Sequence, residues 1–335
     1  MSSNDLRRES TPAIAHAGRA IDRRTFIQRA GAAGVALAAA AASGPFAAAA
    51  RAKNKPKLLV PRHRIGIGLE EYAFSQQPPA DVYSKLGEIA EIGYRSTELI
   101  EFGGFGSVER AKEVRHLLQR TNLRGVGNFH LTFATPLNIR NALDTFVEED
   151  KAAGMINFGM VAAEFTPEWQ NEDGYRRLAE DFNRWGEITK KAGMRFYVHN
   201  ERWVYERDPT TGKVLFDIWI EETDPEVVFF CLDVMWVEYT RHTTGVDSVH
   251  YIELLEKDDR LVEFHIKDWN GQQAAPGAQP STTQTDVGQG VIDLQRIFQA
   301  IKKPEKYWYI VEREGSPDPS QTARNSYEYL ATLTA

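Results

Sequence analysis

Four short apolar runs in the second half of this 335-residue chain each end on a residue able to hold a cation. They are FYVHNE (His199, Glu201), FFCLDV (Asp233), VEFHIKD (His265) and YIVERE (Glu312). A mixture of imidazole and carboxylate donors suits Mn, Co, Zn or Fe(II) better than Mg or Ca. His199, Asp233, His265 and Glu312 are the candidate ligands of one divalent ion. Residues two apart on a strand point the same way, so Glu201 shares the face of His199. Either can fill the strand-five position, and the other then serves as catalytic base or as a partner to the ligands. The same alternation puts Lys267 on the side of His265, where an ammonium can polarise a carbonyl or protonate an enolate. Each residue alone is an ordinary polar group; the recurrence at four successive strand ends points to a shared ion.

Such convergence needs elements that bring strand ends together. Strand candidates are residues 65–74, 94–102, 123–131, 156–165, 194–201, 227–237, 261–268 and 307–314. Their near-continuous apolar character is that of strands buried on both faces. Helical patterns lie between them: Val82, Leu86 and Ile89; Val108, Ala111, Val114 and Leu118; Leu178, Phe182 and Trp185; Val249, Ile252 and Leu255; Ile292, Ile297 and Ile301. Gly93, Gly154 and Gly193 stand where helices stop before the next strand, as left-handed helix caps do. Eight strands alternating with helices predict an α/β fold, a (β/α)8 TIM barrel. An open doubly wound sheet is disfavoured, because no G-x-G-x-x-G turn follows the first strand.

In a barrel, chemistry gathers at the C-terminal ends of the strands. Glu98, His130 and Glu164 end strands two, three and four and are candidates to hold sugar hydroxyls or move protons; Glu164 is also a possible fifth metal ligand. Trp203, Trp236 and Trp269 fall just beyond ligand positions, where an aromatic face can stack on a sugar ring or simply pack. Two insertions, 202–215 and 269–290, follow strands five and seven on the same side. The second is long enough for a substrate-contacting loop.

The first 52 residues read differently. Paired arginines in Asp22-Arg23-Arg24-Thr25-Phe26-Ile27 precede an Ala/Gly run over 30–42 and small residues around Ala48–Ala52. That order describes a twin-arginine signal peptide cleaved near residues 50–52, with a periplasmic or otherwise exported product. Residues 53–64 read as a basic linker, and 65–335 as a single barrel domain of catalytic type. The first 52 residues carry seven Arg against Asp5, Glu9 and Asp22, so removing that +4 takes the net charge from −7 to −11. An acidic protein gains nothing from counterion release on nucleic acid and is a poor match for an anionic membrane. The expected partner is a small carbohydrate or glycoside, with self-association into a homo-oligomer left open. Cys231 is the single cysteine, which excludes an internal disulfide; its place inside an apolar run marks it as buried and inert.

TEL at Glu98, VHNE at 198–201, LDVMW at 232–236, HIKDW at 265–269, VGQGVIDL at 287–294 and VERE at 311–314 together resemble the sugar phosphate isomerase/epimerase family of xylose isomerase-like TIM barrels. The resemblance implies a divalent metal held by one residue from each of strands five to eight, hence Asp233, His265 and Glu312. Many members have Glu at the strand-five position, where this chain reads His199-Asn-Glu201. The resemblance also implies proton transfer beside a carbonyl, in an isomerase, an epimerase or a dehydratase. Export and the lack of a Gly-rich phosphate loop or an Arg cluster after strands seven and eight point to an unphosphorylated substrate. Catalytic roles are therefore expected for Glu201, Lys267 and Glu164, with a 3-keto-glycoside lyase or hydrolase and a non-catalytic exported carbohydrate-binding protein as the alternatives.

Overall fold

The structure is a computed structural model that describes residues 56–101, 103–131, 139–161, 168–275 and 278–335. Residues 1–55, where the export signal was read, and 162–167, which include Glu164, lie outside them.

Eight parallel strands close into one barrel: β1 (Ile65–Gly68), β2 (Ser96–Leu99), β3 (Arg124–Leu131), β4 (Asn157–Val161), β5 (Arg195–His199), β6 (Val228–Asp233), β7 (Leu261–Ile266) and β8 (Trp308–Val311). Each pairs with its sequence neighbours, and β8 closes on β1 through Ile65↔Tyr309 and Ile67↔Val311. Closure leaves no free strand edge. The helices are α1 (Glu70–Ala73), α2 (Leu86–Ile92), α3 (Val108–Arg120), α4 (Ile139–Ala153), α5 (Glu172–Ala192), α6 (Leu215–Glu222), α7 (Val234–Thr244), α8 (Ser248–Lys257), α9 (Leu294–Gln299) and α10 (Pro319–Thr332).

Every strand is shorter than its run, and two of the runs turn into a helix before they end. The 65–74 run ends at Gly68 and turns into α1; the 227–237 run ends at Asp233 and turns into α7. The second break has a visible cause. Asp233 Oδ1 accepts from the main-chain N–H of Met235 (2.9 Å) and Trp236 (3.2 Å), capping α7; a carboxylate satisfies helix-start donors that strand pairing would leave out. Part of the segment read as a linker also belongs to the fold. Leu59 N–H donates to Leu333 O (3.0 Å), Leu58 bridges to Thr334, and Val60 is buried. Its Leu-Leu-Val triplet buries more readily than a basic linker would suggest.

Phe158, Phe196, Val228, Phe230 and Phe264 of the strands pack outward on Phe182, Trp185, Trp219 and Phe298 of the helices. The barrel interior has an apolar floor of Val126, Trp308 and Ile310, and a second layer of Phe129, Val161, Tyr197, Cys231 and Val262. Glu263, beside Trp308 in the floor, accepts from Asn157 Nδ2 across the interior (3.4 Å), and towards the strand ends buried polar side chains multiply, which is unusual and marks where the site lies.

The loop after β7 is anchored, not loose. Asp268–Trp269 and Gln284–Thr285 form a small antiparallel ladder. Asp268 Oδ2 accepts from the N–H groups of Gly288 (3.0 Å) and Gly290 (2.9 Å), and Oδ1 from those of Trp269 (2.9 Å) and Ile292 (3.3 Å). A Cβ at position 290 would lie 2.0 Å from Asp268 Oδ1, so glycine is what lets the loop return reach the carboxylate. The HIKD and VGQGVIDL motifs are thus two halves of one clamp.

Candidate metal and proton-transfer site

Each predicted ligand lies at or next to the end of its strand. His199 closes β5, Asp233 closes β6, His265 lies next to last on β7, and Glu312 follows β8. Their donor atoms fall within 4.8 Å of one another, and all four residues are buried. Asp233 Oδ2 is 3.5 Å from His199 Nε2, and Glu312 Oε1 is 2.9 Å from His265 Nδ1. Lys267 joins the carboxylates: its Nζ lies 2.9 Å from Asp233 Oδ2, 2.7 Å from Glu312 Oε2 and 3.4 Å from Glu314 Oε1.

Burial and neighbours set the protonation of this group. Burial and the nearby His265 pull the His199 pKa down to about 4, so its ring is neutral and free to donate a lone pair. Burial opposes the charge on Lys267, but Asp233 and Glu312 outweigh it and hold the ammonium charged. Burial likewise works against the Asp233 carboxylate, yet Lys267 and His199 keep its pKa below the usual range. Glu312 is similar, held well down by His265 and Lys267 against burial. His265 feels burial downward, but Cys231, Glu312 and Glu98 raise it well above an ordinary imidazole; a cation at this point would take the place of its proton.

The donor set fits a divalent cation on chemical and geometric grounds. Both ring nitrogens of His199 and His265 and both oxygens of Glu312 are buried without an aligned hydrogen-bond partner. Two nitrogens and two carboxylate oxygens are the donors that borderline transition ions prefer. Glu201 sits at the edge of this group, its Oε1 3.7 Å from His199 Nδ1 and its side chain 15% exposed. Burial pushes its pKa well up, which Lys267 only partly opposes.

The other expected residues divide. Trp236 is buried with Lys267 Nζ 5.8 Å from its ring centroid, and Tyr239 bridges it edge-on to Trp269. Trp203 packs against both the outer core and the interior layer that holds Phe129 and Tyr197. Glu98 does not reach the rim: it is fully buried, accepts from the Tyr197 hydroxyl, and its Oε2 lies 2.7 Å from His265 Nε2. Its position orients His265. His130 points the other way altogether. Its ring stacks between Phe146 and Phe158, and its Nε2 pairs with Asp150 Oδ2 at 2.9 Å, in the layer between sheet and helices.

Phe129 takes the place expected of His130. Its ring centroid is 5.1 Å from that of His199 and 5.6 Å from that of His265. Glu70, on α1, is a second residue the motif reading passed over; it lies among Glu98, His265 and Glu312. Cys231 is buried as expected, yet it is no distant bystander, because its sulfur falls with His199 and His265 in a third group of donor atoms.

Comparison with known proteins agrees with this architecture. The sequence profile of the xylose isomerase-like TIM barrel family matches residues 86–333. An inosose dehydratase of Glaesserella parasuis serovar 5 (strain SH0165) is 25% identical over 173 residues, 48% of this chain and 53% of that protein. The chain therefore aligns with only about half the length of this curated relative. The crystal structure of a sugar phosphate isomerase/epimerase from Parabacteroides distasonis ATCC 8503 superposes with a TM-score of 0.59 at 24% identity, over 81% of this chain and 95% of that one. The structure of the IOLI protein with a bound zinc atom superposes with a TM-score of 0.58 at 13% identity, over 81% and 96%. At these identities the two structural likenesses speak to the fold.

Proposed function

This chain belongs to the xylose isomerase-like TIM barrel family, and from that premise we propose that it is a metal-dependent carbohydrate isomerase or epimerase. It would remove a proton from the carbon beside a carbonyl of an unphosphorylated sugar. The observation that carries the reading is the buried ammonium of Lys267 among four convergent metal-type donors at the strand ends. Asp233, His265 and Glu312 would hold the ion, with His199 or Glu201 as the strand-five ligand. When bound, a divalent cation supplies Lewis-acid polarisation of a carbonyl or hydroxyl oxygen. The zinc atom in the IOLI structure supports a metal ion in a barrel of this fold.

The residues of the chain supply the rest. Glu201, partly exposed and with a raised pKa, accepts the proton from carbon. Lys267, held charged, steadies the oxygen on which negative charge gathers. Return of the proton to the neighbouring carbon, with the hydroxyl proton passing to the former carbonyl oxygen, gives an isomer; return to the opposite face of the same carbon gives an epimer. Trp203, Trp236 and Trp269 offer flat apolar walls for the sugar and keep water from the charged pocket. Arg313, next to Glu312, already binds Asp286 and Thr322, so the one arginine in this strand end is committed elsewhere than to a phosphate. The twin-arginine reading of residues 1–52 favours the same neutral substrate, met outside the cytoplasm.

A second reading is elimination: the same first proton transfer, then loss of a group β to the carbonyl. The dehydratase name of the curated relative favours it. Proton NMR in D2O with Mn-loaded protein separates the two across free ketoses, keto-inositols and 3-keto-glycosides. Deuterium entering next to the carbonyl with every other group retained supports isomerisation. Release of water or an aglycone supports elimination. Absence of proton exchange in every one of these classes sinks both, and protein that also holds less than about a tenth of an equivalent of metal favours the carbohydrate-binding alternative.

A further inference from the structure

The opposite, N-terminal mouth of the barrel carries charge that the metal and proton-transfer site does not use. Arg64 stands immediately before β1, while Arg124 opens β3 and Arg195 opens β5. In a barrel of this type, side chains from alternate strands share one inward layer, and these three arginines meet there. The guanidinium carbon of Arg64 lies 4.5 Å from the ring centroid of Trp308, in the barrel floor, and that of Arg124 lies 5.6 Å from it. Arg195 Nε donates to Asn157 Oδ1 (3.1 Å), and Asn157 Nδ2 reaches Glu263 Oε2 (3.4 Å). His199 lies further along β5 than Arg195 by about 13 Å of extended strand, so the cluster is remote from the metal-type donors.

The charge there is one-sided. Arg64 and Arg124 donate no side-chain hydrogen bond to any described residue, and Arg64 Nε is buried without a partner. Arg195 commits its Nε to Asn157. Two carboxylates act on this group. Glu263 is buried and held by Asn157, and Asp259 is already paired with Lys303 and Lys306. Burial, together with the charges of Arg64 and Arg124, holds the Arg195 pKa below that of an ordinary guanidinium, against the pull of Glu263 and Asp259. Stacking on Trp308 orients Arg64 and Arg124 without cancelling their charge. Like charges held this close repel one another until an anion sits among them, and they are gathered here on a chain of net charge −7.

We propose that the N-terminal mouth of the barrel binds one tetrahedral oxyanion of the phosphate or sulfate class, held by Arg64, Arg124 and Arg195. A guanidinium fork presents paired N–H donors to two oxygens of such an ion. A planar carboxylate has too few oxygens for three forks arriving from three strands; a tetrahedral ion has enough. A free inorganic ion and the phosphoryl end of a larger molecule share this chemistry. The site lies away from the substrate pocket, so the proposed function neither needs it nor opposes it.

The test is calorimetric titration of the full chain in Mn2+ with sodium sulfate, which does not precipitate the metal, at low ionic strength. It is repeated with glycerol 1-phosphate. One ion per chain is expected. Arg124 is exposed where Arg64 and Arg195 are half-buried, so Arg124→Gln is the milder change. It should weaken binding by about 10- to 100-fold, the range for losing a charge-assisted hydrogen bond. Arg64→Gln should do the same, and it decides the matter if Arg124→Gln fails to fold. Lys112→Gln, which removes an exposed charge on α3, should leave the affinity unchanged. Binding of sulfate alone assigns a free ion; binding of glycerol 1-phosphate, with or without sulfate, assigns a phosphoryl end. Binding of neither probe overturns the site and leaves the arginines as packing around Trp308. Unchanged affinity in both arginine variants overturns it, since the ion then lies elsewhere, the metal included. An equal loss in Lys112→Gln overturns it as well, because the attraction is then one of general charge.

Discussion

Lys267 Nζ lies 2.7 Å from Glu312 Oε2 inside the barrel, and the same ammonium reaches Asp233 Oδ2 at 2.9 Å. The two carboxylates expected to bind a cation are therefore already tied by a fixed positive charge. That relation makes protein stability and metal occupancy readable from one another.

Lys267→Met leaves Asp233 and Glu312 buried without their ammonium, a loss of about 3–5 kcal/mol for a buried pair deprived of one partner. Urea unfolding in the presence of a chelator should show it. Excess Mn2+ should recover part of the loss, about 2.7 kcal/mol at one hundred times Kd. Turnover should stay abolished with or without metal. An unchanged unfolding midpoint in chelator would show that the ion pair carries no net stability.

Asp233 has two tasks, and two substitutions separate them. Asp233→Asn keeps an acceptor for the N–H groups of Met235 and Trp236; Asp233→Ala loses it. The alanine variant should be less stable than the asparagine variant by about 0.5–2 kcal/mol, the range for a helix cap. Calorimetry against dialysed Mn2+ should find weakened binding in both. Tight binding by Asp233→Asn would remove Asp233 from the ligand set.

His199 and Glu201 compete for one coordination position, and their side chains approach to 3.7 Å. With Glu201 as base, Glu201→Gln keeps the metal and loses solvent deuterium exchange by about 10²–10⁴-fold, the usual contribution of a general base. His199→Gln then loses metal. The reverse pattern, metal lost in Glu201→Gln and kept in His199→Gln, assigns Glu201 as ligand and His199 as its neighbour.

His130 and Phe129 are adjacent and opposite in consequence. His130→Ala should cost about 3 kcal/mol, as for truncating a buried ring, because it empties the space between Phe146 and Phe158 and leaves Asp150 with Asn128 but without its imidazole. Its kcat/KM, measured on folded protein, should match the wild type. Phe129→Ala should instead change kcat/KM, since its ring lies against His199 and His265. Equal kinetic damage in both would mean that β3 is read with the wrong face inward.

Strand order, barrel closure and the convergence of His199, Asp233, His265 and Glu312 were legible because strands buried on both faces are written as apolar runs, and a polar residue at each end stands out. The β3 residues were not, for a local reason. Val126 packs inside the barrel with Trp308 and Ile310, and Gly127 also faces inward, beneath Tyr197 and Glu98. The register shift between Thr97 and Glu98 in the β2–β3 pairing puts two consecutive residues on one face. Such a bulge exchanges the faces of all that follows, so His130, the polar residue at the end of its run, faces outward and Phe129 faces the site. Glu70 escaped notice for a different reason. It follows Gly68 in a short helix, where strand alternation no longer applies, and only the fold carries it back over the barrel axis. The four main-chain donors to Asp268 come from positions up to 24 residues away, and no local pattern announces them.

The capping role of Asp233 ties the barrel axis to its wall. The helix it starts carries Trp236 and Tyr239, and Tyr239 meets Trp269 on the anchored loop with ring centroids 4.8 Å apart. A change in what Asp233 Oδ2 binds is thereby felt, through its other oxygen, at the first turn of α7 and along a line of indoles. The molecule carries its own optical reporter: tryptophan emission should move as the ion enters or leaves, with no label attached.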